Sequence, residues 1–147
     1  PEELQRRLRR LANGIRGDDA QAAYRLYERH VSCGLPWQRR LMWTMVKPFV
    51  QGWVVESSPQ RVVIRTPASK GRVFCPMMWA VEYDLERARP LCEALFRHDA
   101  FSDPWEILLV KALNPCLHWE LAHFRQTAEE PCHYAIVQGG AVEATLE

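Results

Sequence analysis

Residues Pro115 to Gln138 read Pro115-Cys116-Leu117-His118-Trp119-Glu120-Leu121-Ala122-His123-Phe124-Arg125, then Gln126-Thr127-Ala128-Glu129-Glu130, then Pro131-Cys132-His133-Tyr134-Ala135-Ile136-Val137-Gln138. Two strand-like runs flank a polar turn, which predicts a β-hairpin. The stretch also holds two of the five cysteines and three of the five histidines. It therefore decides the fold of the C-terminal half and is the densest store of soft and titratable groups.

Working outward, a second hairpin lies upstream. Trp53-Val54-Val55-Glu56 reads as a strand, Ser57 to Gln60 as a turn, and Arg61-Val62-Val63-Ile64-Arg65-Thr66 as its partner. Arg72-Val73-Phe74 is short and extended, leading into Cys75-Pro76. Elsewhere the apolar period is 3.6. Leu4, Leu8, Leu11 and Ile15 mark a first helix, and Asp18-Asp19 caps a second with Ala23, Tyr24, Tyr27 and Val31 inward. Pro36 begins a third helix ending at Pro48, and Pro76 and Pro90 begin two more. Ser102-Asp103-Pro104 starts a last helix that stops at Asn114-Pro115. Helices, hairpin, helices, hairpin is the order of an α+β fold. The expectation is a mostly antiparallel sheet of about four or five strands, with helices on one face and an N-terminal helical segment. One domain over 1–147 is expected, with N-terminal helices at 1–47, an α+β core at 48–138 and a tail at 139–147.

Hydrophobic residues make up 48% and charged residues 25% of the 147 residues, the balance of a globular chain. The net charge of +1 gives no general affinity for nucleic acid. Residues 1–47 carry ten Lys and Arg against five Asp and Glu. No aromatic residue interleaves the arginines of the first helix, so a solvated face or a homodimer contact is expected there. No run of about 18 apolar residues predicts a membrane span. Five scattered cysteines argue for a reducing compartment, and a cytoplasmic setting is expected.

The chemistry is expected to centre on cysteine and histidine. Cys75 would stand at the start of a helix, where a thiolate is stabilised. In a strand, Cys116, His118 and Glu120 share a face, whereas Cys132 and His133 point oppositely. The whole hairpin cluster therefore cannot be one metal site. Zinc would need a ligand such as Cys75 or Cys92 from the preceding segment. No cofactor is expected otherwise, because no Walker, GxGxxG or GxSxG motif occurs.

Cys75, Cys92 followed by Asp99, the strand Leu117 to Leu121 and Cys132-His133-Tyr134 come in an order that resembles the L-2-amino-thiazoline-4-carboxylic acid hydrolase family, over about Arg72 to Val137. The resemblance implies hydrolytic opening of a small C–N ring in bacterial amino-acid or secondary metabolism. On that reading Cys75 is nucleophile or ligand, Cys92 and Cys132 are its partners, and His118 or His133 is the acid/base. Arg65, Arg72 or Arg125 would hold a substrate carboxylate, with Trp119 and Tyr134 also at the substrate. The chain is also similar to small-molecule-binding domains related to 4-vinyl reductase, which implies a non-catalytic binding or sensor module.

Overall fold

A computed structural model describes residues 1–33, 54–65, 76–100 and 104–139. The third helix expected at 36–48, the extended run 72–74, Cys75, Arg72 and the tail from 140 onward lie outside the described residues. Five helices and four strands fall within them: α1 Glu2–Ala12, α2 Ala20–Cys33, β1 Val54–Ser57, β2 Arg61–Arg65, α3 Pro76–Ala80, α4 Leu85–Arg97, α5 Pro104–Leu113, β3 Leu117–His123 and β4 His133–Gln138. The class is α+β, as expected.

The two hairpins join into one antiparallel sheet of order β1-β2-β4-β3. The join is between β2 and β4, with Val62 opposite Ile136 and Ile64 opposite Tyr134. Side chains of paired residues share a face. One face therefore carries Val62, Ile64, Tyr134, Ile136, Leu117 and Trp119, which pack with Ala20 and Ala23 of α2 and Ile107 and Val110 of α5. Burial of each large side chain here contributes about 1.5–3 kcal/mol. The other face carries polar groups in three rows, among the apolar Val137 and the buried Val63 and Ala135: Arg61, Val137 and His118; then Val63, Ala135 and Glu120; then Arg65, His133 and His123.

A register shift between Leu121 and His123 sets the last row. Strict alternation would put His123 on the packed face with Leu117, Trp119 and Leu121. The bulge turns it to the polar face instead, where its ring centroid lies 5.2 Å from that of His133.

The start of α2 follows from a side-chain cap. Asp19 Oδ1 accepts the Ala22 N–H at 2.9 Å, which opens α2 as its sequence predicts. α2 then seats on the first hairpin's turn, where Ala20 N–H donates to the Pro59 carbonyl and Gln21 Nε2 to Ser57 Oγ. The apolar stripe of α1 is spent within the chain: Leu4, Leu8 and Leu11 pack against Leu26, Trp105 and Leu109. Arg7 turns inward with them, over the Trp105 ring at 4.7 Å and against buried His30.

One expectation changes. The helix assigned to Pro90 begins five residues earlier, at Leu85, because Asp84 caps it by accepting the Glu86 and Arg87 N–H groups. Pro90 lies inside the helix. Leu108 and Leu91 are exposed, and α5 buries Ile107, Leu109 and Val110. Trp79 of the short α3 is also exposed.

Candidate functional site

A cavity of about 1100 Å³ runs between α4 and β3. β3 ends the strand order of the described sheet, so the cavity lies along that sheet's edge. Its helical wall is a charged stripe of Glu86, Arg89, Glu93 and Arg97, spaced three or four residues apart on one side of α4. Its strand wall runs from His118 to Gln126. Phe96, Trp119, Leu121 and Phe124 supply apolar surface between these charges. Apolar surface with a few oriented polar groups is the usual make-up of a small-molecule site.

Asp99 also lines the cavity. α4 finishes with the Ala100 N–H bonded to the Leu95 carbonyl and the Asp99 N–H to the Phe96 carbonyl, the two bonds of a Schellman cap. That cap needs a left-handed residue, a place glycine usually takes, and Asp99 holds it at φ 52°. Its carboxylate pairs with Lys111 of α5 at 3.4 Å. The backbone turn thus fixes an acid at the cavity wall.

His118 and Glu120 stand two residues apart on β3 and so share a face. His118 Nε2 lies 3.0 Å from Glu120 Oε1. A carboxylate accepts, so Nε2–H donates and Nδ1 is left as the ring's acceptor. Nδ1 is buried and has no hydrogen-bond partner among the described residues. Glu120 Oε2 lies 3.5 Å from Arg61, which also approaches Glu56. Arg61 reaches Glu120 across β4, where the intervening residue is the small Ala135. Glu120 is the more exposed member of the His118 pair, at 36% against 13%.

Arg125 follows β3, and Cys132 precedes β4. Both are 2% exposed. Arg125 donates its backbone N–H and its Nε–H to Cys132 Sγ, at 3.4 and 3.1 Å. The pair closes the turn of the hairpin and fixes the guanidinium on the cavity wall. Beside it, the Glu130 carboxylate accepts the Gln126 backbone N–H. That bond, with His123 nearby, holds the Glu130 carboxyl below the usual carboxylate range.

Of the residues singled out from sequence, the fold brings His118, Trp119 and Arg125 into the cavity wall. Cys132 lies behind Arg125, and Cys92 is half-buried on α4 but is not among the described lining residues. His133 and Arg65 belong to the third polar row, and Tyr134 packs on Phe96 at the helix-covered face. Cys116 is exposed. Among the described residues no group of three or more His, Cys, Asp or Glu is placed to hold a metal ion. The α4 stripe was missed. Its signal is the alternation of acid and base at helical spacing from Glu86 to Arg97. Comparison with protein-family models, with curated proteins and with solved structures gives no match.

Proposed function

We propose that the chain is a hydrolase-like small-molecule enzyme. It acts on a C–N bond of a sulfur- or nitrogen-containing ring or a related amino-acid-derived acid. The observation that supports this best is the His118–Glu120 contact at 3.0 Å on the same cavity wall as the Arg125 guanidinium. A proton-transfer pair and a fixed cation on one wall suit a substrate that carries a carboxylate. The cavity's mixed charge, with Glu93 and Asp99 in its lining as well as Arg125, fits a zwitterionic ligand.

In this reading Glu120 takes one proton from water as the water oxygen bonds to the ring carbon, and passes it to the ring nitrogen. The hydroxyl proton of that adduct follows by way of Glu120 to the same nitrogen as the C–N bond breaks, leaving a carbonyl and an amine. His118 orients Glu120 through Nε2–H, and Arg125 holds the carboxylate. Cys132 supports Arg125 and is not the attacking group, because it is closed off behind that side chain. Incubation with 2-amino-thiazoline-4-carboxylate and related cyclic amidine acids, followed by mass spectrometry, tests the reading. A product heavier by one water is expected from wild type. If no ring is opened, the hydrolytic reading falls. Thermal stabilisation by the same acids without turnover would instead favour a binding module, a reading the aromatic surface of Phe96, Trp119 and Phe124 also suits.

A further inference from the structure

Glu120 is anchored from two sides. Its Oε1 lies 3.0 Å from His118 Nε2, and its Oε2 lies 3.5 Å from Arg61 Nη1. The terminal torsion of a glutamate is broad, unlike its staggered inner torsions. One anchored oxygen therefore leaves the carboxylate free to turn, and a partner on each oxygen fixes its plane. The sheet register makes the second anchor reachable. Arg61 pairs with Val137, and Val137 with His118, so Arg61 and His118 share a row. Glu120 stands in the next row beside Ala135, whose side chain ends at Cβ and leaves the diagonal from Arg61 open.

We propose that Arg61 is a positioning residue for the proposed reaction: it fixes the plane of the Glu120 carboxylate and so keeps Oε1 on His118 Nε2–H. The proposal rests on Glu120 as the base that takes the proton from water. Arg61 is not among the described residues that line the cavity, so it acts through Glu120 and not on the ligand. His118 depends on the same contact. Its Nδ1 is buried without a hydrogen-bond partner among the described residues, so the bond from Nε2 to Glu120 is the polar contact that orients the ring.

Arg61 also approaches Glu56 of β1 through Nε, at 3.6 Å. Glu56 is 56% exposed and is not among the described lining residues. That contact is a solvent-screened pair of small effect. The contact with Glu120 differs because it continues to His118, which is 13% exposed. Arg61, Glu120 and His118 thus run from solvent into the sheet, and a change at the outer end is read at the inner one.

Arg61→Met removes the charge and keeps the stem, and Arg61→Lys keeps the charge. The first readout is ring opening of 2-amino-thiazoline-4-carboxylate. Arg61→Met is expected to lower kcat about tenfold at unchanged KM, between the few-fold effect of an exposed ion pair and the cost of about 10²-fold for a misplaced catalytic geometry. The second readout needs no turnover. It is the exchange with water of the His118 Nε2–H proton, followed by proton–nitrogen NMR at about pH 8, above the ordinary histidine range. Arg61→Met is expected to speed that exchange roughly tenfold, as the contact with Glu120 opens more often. Arg61→Lys should lose less in both readouts, and Glu56→Gln should match wild type in both. If wild type opens no ring, the hydrolytic reading falls, and the exchange rate alone decides whether Arg61 holds the pair. Unchanged exchange in Arg61→Met, faster exchange with unchanged kcat, or a loss carried by KM would each overturn the proposal.

Discussion

Cys132→Ala is expected to destabilise the protein by about 3 kcal/mol. The thiol is 2% exposed, so its removal forfeits about 1 kcal/mol of burial. Two N–H donors then lose their acceptor: the Arg125 backbone at 3.4 Å and the Arg125 guanidinium at 3.1 Å. A hydrogen bond to a charged group contributes about 1.5–3 kcal/mol and a neutral one about 1. Their sum exceeds 3 kcal/mol, and the long sulfur contacts bring it back toward that figure. In a chain of this length the change corresponds to a fall of about 6–12 °C in Tm. Urea unfolding followed by tryptophan fluorescence measures it. Cys116→Ala, at an exposed site, is the control and should stay within about 0.5 kcal/mol of wild type. A cycle with Arg125→Met should show a coupling of at least about 1 kcal/mol. If Cys132→Ala unfolds within about 1 kcal/mol of wild type and the cycle shows no coupling, the thiol does not hold Arg125. The positioning of the guanidinium on the cavity wall then loses its cause.

Other outcomes follow from single residues. Asp84→Ala should cost about 1 kcal/mol in thermal or urea unfolding, as loss of the α4 cap. Asp99→Gly should be more stable than Asp99→Ala by about 1 kcal/mol, because φ 52° suits glycine and strains alanine; equal stabilities would mean the cap is not left-handed. His133 is held below its unfolded value, so the unfolded chain takes up its proton first. Its contribution to stability is whole above about pH 6.5 and is lost as pH falls through the lower folded value. His133→Gln should therefore flatten the pH dependence of urea midpoints below about pH 6.5.

Local order was legible where one side chain or one period decides it. Asp19 capped α2, Pro104 opened α5, and the two hairpins turned where Ser58-Pro59 and residues 126–130 predict. Alternation on β3 put His118 beside Glu120. What could not be read depends on distant partners. Nothing in Arg61–Arg65 names β4 as its neighbour, and that pairing creates both the core and the row from Arg65 to His123. The bulge that reverses His123 depends on register with His133, not on local composition. Pro90 was read as a helix start because proline suits that place, yet Asp84 had already nucleated the turn. The chemistry was expected to centre on cysteine and histidine. The cavity wall gathers the expected His118 and Arg125 with Glu120, and Cys132 holds Arg125 from behind, while Cys75 lies outside the described residues.

The most direct test of the cavity as the reactive site compares ring opening of 2-amino-thiazoline-4-carboxylate by wild type and by Glu120→Gln, with Glu56→Gln, the other Arg61 partner, as control. Loss of the proton acceptor is expected to lower kcat by about 10²–10⁴-fold with the fold intact, while the control retains wild-type kcat. Turnover by Glu120→Gln at the wild-type rate would contradict the account.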